Sequence, residues 1–422
     1  MNSEPQVQAV RARRRLVVIG NGMAGMRTVE ELLQLAPETY DIAVFGAEPH
    51  GNYNRILLSP VLAGEKQVDE IITHPREWYT QHGVTLHAGD PVIDINRRAR
   101  IVRSANGVEL PYDRLLIATG SKPVILALPG KELPGVVTFR DLADVDAMLE
   151  AARCHRKAVV IGGGLLGLEA AHALMRRGMD VTVLHVLDTL MERQLDASAA
   201  ALLKESLEAR GLKFRMPVKT VAILGGHRVA GVRCEGGMEL EADLVVMATG
   251  VRPNVGLAQR AGLRCERGIL VDDTLQTFDP SIYAVGECVQ HRNSTFGLVA
   301  PLWEQAHVCA THLAEVGVSR YRGTLAATQL KVTGIELFSA GDFAGAEGSE
   351  TLVLRDRHRG IYKRLVIRNN TLCGALLYGD ASDGPWYSEL IAARRELSTL
   401  RDRLLFGRVV AQDVSAAPVA GQ

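Results

Sequence analysis

The sequence lacks the features that would mark several large classes of protein. Its six cysteines, at 154, 234, 265, 288, 309 and 373, form no C-x-x-C and no group of four, which excludes a dithiol relay and a cysteine-held iron–sulfur cluster. Reduced thiols are the simplest reading, and no metal site is expected. Neither charge is in excess, since Lys plus Arg and Asp plus Glu both number 48, so nothing points to nucleic acid or another polyanion. No run approaches the roughly 18 apolar residues of a membrane span. The first fifteen residues carry Arg11, Arg13, Arg14 and Arg15 without an apolar core, which is not a secretory signal. A cytoplasmic protein without membrane association is expected.

What the chain has is one glycine signature twice: LVVIGNGMAGMR at 16–27 and AVVIGGGLLGLEAA at 158–171. In each copy a short, β-rich apolar run stops at glycines and passes into helical patterning. Gly20 and Gly162 permit the tight turn, Gly22 and Gly164 let backbone approach a pyrophosphate, and Gly25 and Gly167 let helix pack closely on strand. Met23 and Ala24 open the first helix, Leu165 and Leu166 the second. There, free N–H groups and the positive end of the helix dipole face phosphate. The duplication implies two dinucleotides on one polypeptide.

Residues 41–45, DIAVF, read as the second strand of the first copy. Glu48 follows, about 20 residues after the last glycine, where a carboxylate accepts hydrogen bonds from ribose hydroxyls; the alternative is a solvated loop glutamate. In the second copy the matching strand, DVTVL at 180–184, ends in His185. With Arg193 it would tolerate a 2′-phosphate, or it is a plain surface histidine, so NADH and NADPH both stay open.

The triplet Ala118, Thr119, Gly120 ends a strand after the first copy, and Ala248, Thr249, Gly250 repeats it after the second. Small residues there let strand backbone pass close to a nucleotide, and the triplets mark crossings between two domains. The expected fold class is α/β: two nested Rossmann-like dinucleotide-binding domains plus a small C-terminal α+β domain. The first would comprise 15–120 and 243–320, the second 121–242, and the C-terminal domain 321–408. Residues 1–14 read as a disordered lead-in and 409–422 as a flexible tail. The segment SIYAVGEC at 281–288 delivers Gly286 and Glu287 to a turn, and a helix begins near Pro301. Hairpins follow from about 321, closed by an amphipathic helix around 387–405.

Six stretches together carry a family pattern over about 15–408: GNGMAG at 20–25, YNRILLS at 53–59, GGGLLGLEAA at 162–171, LMERQLD at 190–196, AVGEC at 284–288 and FGLVAP at 296–301. The pattern resembles the two-dinucleotide-binding flavoproteins of pyridine nucleotide-disulfide oxidoreductase type. Within them it is most similar to the FAD/NAD(P)H portion of assimilatory nitrite reductase large subunits and to the flavoprotein subunits of assimilatory nitrate reductase. The glycine motifs mark the superfamily, whereas the stretches at Tyr53, Leu190 and Phe296 are more specific.

The resemblance implies FAD at the first signature and NADH or NADPH at the second. By position, Glu48 would hold the FAD adenosine ribose, Arg55 would lie along the FAD, and Glu287 would replace the flavin-binding aspartate of many relatives. Glu169 would sit near the nicotinamide and fix its carboxamide, and the helix at Pro301 would face the flavin. Arg55 as a surface cation and Glu169 as an ordinary first-turn carboxylate are the alternatives. Cys288 either modulates the flavin or is a small buried thiol.

Departures narrow the reaction. Ferredoxin and rubredoxin reductases tend to place a lysine after the serine matching Ser59, but this chain has Pro60. No redox cysteine stands between Gly46 and Gly64, which argues against peroxide- and thiol-reducing relatives. The iron–sulfur and sirohaem domains of nitrite reductases do not occur in this sequence, so reduction of nitrite by the chain alone is not expected. The implied reaction is hydride transfer from NAD(P)H to FAD, then electron transfer to an iron–sulfur or haem partner, with nitrate or nitrite reductase as the first reading. An NAD(P)H-dependent ferredoxin, rubredoxin or haemoprotein reductase is the second reading, and a flavin-based redox sensor the third. The C-terminal domain would offer a homodimer or partner surface.

Overall fold

The computed structural model describes residues 13–325, 327–332, 334–398 and 400–412. The expected disordered lead-in and flexible tail lie largely outside the described residues. Within them, Arg14 already belongs to a strand and a short helix spans Arg408–Gln412.

The first signature joins β1 (Arg14–Ile19) to α1 (Met23–Leu35), followed by β2 (Tyr40–Gly46), the short helix α2 (Leu58–Ala63), β3 (Val84–Ala88) and β4 (Arg114–Ile117). The second lies in the succession β5 (Val136–Val137), β6 (Lys157–Ile161), α3 (Leu165–Arg176), β7 (Asp180–Leu184), α4 (Ala197–Ala209), β8 (Lys213–Arg215) and β9 (Leu244–Met247). Then come β10 (Ile282–Ala284) and α5 (Val299–Leu313). Five long strands follow: β11 (Ala327–Val332), β12 (Ile335–Gly341), β13 (Glu350–Asp356), β14 (Ile361–Arg368) and β15 (Thr371–Tyr378), with α6 (Gly384–Ala393) after them.

Two compact units result. Among the described residues, the first comprises 13–57, 67–122 and 251–324, and the second 58–66, 123–250 and those from 325 to 412. The first is built on a five-stranded parallel sheet ordered β10-β4-β1-β2-β3. Leu16, Val17, Val18, Leu115, Leu116 and Ile117 are fully buried, because a parallel sheet covered on both faces needs apolar residues at every position rather than alternate ones.

The second unit repeats this plan as β5-β9-β6-β7-β8, again parallel throughout. It also contains a five-stranded antiparallel sheet, β11-β12-β15-β14-β13, with α6 packed on it through Trp386, Tyr387 and Leu390. The expected single helix over 387–405 is instead two. α6 stops where Arg394 turns left-handed at φ 47°, and a 3-10 helix, Arg401–Phe406, follows. Apolar periodicity continues across that break, which is why the sequence reads as one helix.

Candidate functional site: two glycine loops

In the first loop Gly20 has φ +116°, and a Cβ there would lie 2.1 Å from the Ala118 carbonyl oxygen. A Cβ on Gly25 would lie 2.7 Å from the Gly20 oxygen. Gly22 differs. Its backbone is extended at φ −89°, which any residue adopts, and a Cβ would meet nothing within 4 Å. The protein leaves that space beside an uncapped helix N-terminus that begins with Met23 and Ala24, as a loop that receives a pyrophosphate requires.

The loop is held from beneath. Tyr79 donates through Oη to Asn21 Oδ1 at 2.6 Å, and Asn52 Nδ2 donates to the Asn21 carbonyl at 2.9 Å. Gly286 approaches the same helix start, where its Cβ would lie 3.0 Å from that of Ala24, and its N–H donates to the buried Gln305 Oε1 at 2.8 Å. Ser121 donates to Glu287 Oε2 at 2.9 Å. Pro301 is buried in the first turn of α5, whose N-terminus has no side-chain cap. Neither Asn21 with Tyr79 nor Gln305 carries a signal in one sequence, because their partners lie far along the chain.

Glu48 is not a solvated loop residue. It accepts from Tyr53 Oη at 2.7 Å and pairs with the Arg55 guanidinium, which also lies over the Tyr53 ring. Arg55 is therefore not a free surface cation. At the triplets, Thr119 Oγ1 donates to the Asn254 carbonyl and the Asn254 N–H to that of Gly120. Likewise Thr249 Oγ1 donates to the Val124 carbonyl, and the Val124 N–H to that of Gly250.

The second loop reproduces the first. Gly162 has φ +126° with its would-be Cβ 2.2 Å from the Ala248 oxygen, and Gly167 would place one 2.0 Å from the Gly162 oxygen. Gly164, at φ −82°, again faces nothing within 4 Å, ahead of the uncapped start of α3 at Leu165 and Leu166.

His185 overturns the surface reading. It is 8% exposed. Its Nδ1 accepts the Gly163 N–H at 3.1 Å, which leaves Nε2 as the donor to the Thr189 carbonyl at 3.1 Å. Neither nitrogen is left to greet a phosphate. The Met191 N–H donates to the Gly163 carbonyl at 3.0 Å, so the segment 185–191 takes up both backbone groups of Gly163.

Glu169, in the second turn of α3, accepts from Ser59 Oγ at 2.6 Å. Burial pushes its carboxyl up to about 7, against the Ser59 hydrogen bond, which favours the ionised form. Cys288 is fully buried and donates weakly to the Val285 and Ile117 carbonyls, which matches the small-thiol alternative. Among the described residues no group of three or more His, Cys, Asp or Glu could hold a metal ion, and no helix is long and apolar enough to cross a membrane.

Comparison with known proteins agrees with this geometry. Residues 14–312 match the pyridine nucleotide-disulphide oxidoreductase family, and residues 327–395 match the rubredoxin NAD+ reductase C-terminal domain. The chain is 47% identical over 387 residues to a nitrite reductase [NAD(P)H] of Bacillus subtilis, covering 92% of this chain and 48% of that protein. It is 42% identical over 393 residues to the assimilatory nitrate reductase electron transfer subunit of the same organism, covering 93% and 51%. The chain thus spans about half the length of these relatives. A solved covalent complex of putidaredoxin reductase with putidaredoxin matches with TM-score 0.84 at 25% identity, over 97% of this chain and 100% of that one. The glycine cradles and the matched residues agree, and the chain belongs to the pyridine nucleotide-disulphide oxidoreductase family, whose enzymes depend on FAD and NAD(P)H.

Proposed function

We propose that the chain is the flavoprotein part of a nitrate- or nitrite-assimilating system, taking reducing equivalents from NADH or NADPH and passing electrons to a partner redox protein. The observation that carries this is the pair of matching glycine cradles on a chain 47% and 42% identical to the two relatives above. A cytoplasmic setting follows from that assignment.

FAD, when bound, supplies the chemistry of accepting a hydride from NAD(P)H and releasing electrons to an acceptor. The chain's own residues bind and orient. The loop at Gly22, with Met23, Ala24 and Gly25, would hold the FAD pyrophosphate, with Glu48 at the adenosine ribose, Arg55 along the cofactor, and Gly286 and Glu287 at its other end. Ala118, Thr119 and Gly120 would let backbone pass close by. The domain that holds it would be 15–120 with 243–320. The loop at Gly164 in 121–242 would take NAD(P)H, with Gly250 at the matching strand end. Glu169 would accept the carboxamide N–H and fix the nicotinamide face. Positioning is what such a site contributes, since rate depends on the reacting atoms lying about 3–3.5 Å apart.

A second reading is an NAD(P)H-dependent reductase for a ferredoxin, rubredoxin or haemoprotein, and the domain match at 327–395 favours it. Anaerobic stopped-flow reduction of the purified protein, followed by mixing with a candidate nitrate reductase, separates the two. Bleaching of the flavin by NAD(P)H and its reoxidation with nitrite appearing supports the first. Bleaching with reoxidation only by an iron–sulfur or haem carrier supports the second, and a flavin that NAD(P)H does not bleach overturns both.

A further inference from the structure

The reader of the coenzyme's adenosine ribose is normally a carboxylate at the end of the second strand, which accepts from the 2′-hydroxyl; an arginine nearby admits a 2′-phosphate. Here that position is His185, and both ring nitrogens are committed beneath the loop. The next two residues, Val186 and Leu187, are exposed and apolar, and Asp188 accepts from Thr189 Oγ1 at 2.9 Å.

The chain then folds back. Met191 takes a left-handed φ of 52° and bonds through its N–H to the Gly163 carbonyl, and the next residue is Glu192. Its Oε2 stands 3.6 Å from His185 Nε2, while the side chain remains 39% exposed. A carboxylate absent from the strand end is thereby brought back over it from seven residues downstream. Resting on the reading that this loop takes NAD(P)H, we propose that Glu192 reads the adenosine ribose and makes the chain prefer NADH. Its oxygen accepts from the 2′-hydroxyl of NADH and would repel a 2′-phosphate. The guanidinium of Arg215 donates to the Phe214 carbonyl, and Arg193, the residue after Glu192, is exposed.

The test is calorimetric binding of ADP-ribose and 2′-phospho-ADP-ribose to the flavin-loaded protein, which probes the adenosine end without turnover. The wild-type protein is expected to favour ADP-ribose, and Glu192→Gln to weaken it about tenfold while erasing discrimination against the 2′-phosphate, as loss of a charged hydrogen bond implies. Thermal melting of Glu192→Gln should match wild type, since the side chain is partly exposed. Arg193→Ala should leave both affinities unchanged. An unaltered ratio in Glu192→Gln, or a wild-type preference for the 2′-phosphate that Arg193→Ala abolishes, overturns the proposal alone. Failure of both compounds to bind removes the nucleotide assignment of the loop as well.

Discussion

Ser59 Oγ donates a 2.6 Å hydrogen bond to the carboxylate of Glu169, and no charged group stands among the causes that move that carboxyl. Burial alone raises it, to about 7. An ionised carboxylate accepts a carboxamide N–H more strongly than the neutral acid does, so NAD(P)H-driven flavin reduction should slow as pH falls through about 7. Ser59→Ala removes the hydrogen bond that favours the ionised form and should move the midpoint upward by roughly one unit. Glu169→Gln should erase the inflection. Stopped-flow rates between acid and alkaline pH decide it, and a midpoint unmoved by Ser59→Ala would count against the pairing.

The same carboxyl makes a stability prediction. Unfolded, it ionises near its ordinary 4.5; folded, near 7. Between these values the folded protein holds the extra proton, so this group's contribution falls as pH rises through that window and is flat above it. Denaturant titrations should show Glu169→Gln gaining on wild type at pH 8 relative to pH 4.

Glycines that look equivalent in the motif should part company on substitution. Gly167→Ala forces a Cβ to 2.0 Å from the Gly162 oxygen and should destabilise by about 2 kcal/mol or more, as overpacking against backbone does. Gly164→Ala meets nothing within 4 Å and needs no unusual backbone. It should melt like wild type and retain its yellow colour, yet bind NAD(P)H at least tenfold less well if this loop takes the coenzyme as proposed, since the methyl would then intrude on its pyrophosphate. Gly22→Ala should instead fold with FAD depleted. Unimpaired coenzyme binding by Gly164→Ala would remove the reason for its empty surroundings.

Cysteine reactivity follows burial. The Cys288 thiol is pushed up to about 11 and Cys309 further in the same direction, both by desolvation, whereas Cys154 is exposed. Thiolate is the reactive form. At pH 8 a thiol reagent should modify Cys154 first, and Cys234, Cys288 and Cys309 only after unfolding. Cys288→Ser keeps a donor toward the Val285 carbonyl and should leave the flavin potential unchanged; a measurable shift would revive a role beside the flavin.

The sequence carried the repeated strand-loop-helix because glycine spacing and apolar runs are local. It also carried the family, through stretches such as that at Tyr53. It could not carry His185 as a buried prop, since a histidine at a strand end reads the same whether its nitrogens meet water or Gly163 and Thr189. Nor could it join Asn21 to Tyr79 or Glu169 to Ser59, whose partners are 58 and 110 residues apart. The break at Arg394 is invisible for a different reason: it rests on a backbone conformation rather than on a change in composition.

The stretch LMERQLD was distinctive in sequence without an evident task, and its two ends supply one. At its start, Leu190 and Met191 are buried beneath the second glycine loop. At its end, Asp196 caps α4 by accepting the Ala199 N–H at 2.9 Å, while its other oxygen takes the Tyr362 Oη at 2.6 Å and the Arg364 guanidinium at 3.4 Å. Between them the Leu195 N–H returns to the Met191 carbonyl at 2.9 Å, so the strap ties the loop to the antiparallel sheet of the same unit. Tyr362→Phe deletes one hydrogen bond to a charged group and should cost about 2 kcal/mol. Asp196→Ala should cost about 3 kcal/mol or more, because it removes the cap as well and leaves Arg364 without its carboxylate. Asp196→Asn preserves the cap but not the charge and should fall between them. If the strap also positions the loop, Tyr362→Phe should raise the KM for NAD(P)H several-fold with FAD content unchanged, whereas a loss of stability with KM untouched would confine Asp196 to joining the two sheets.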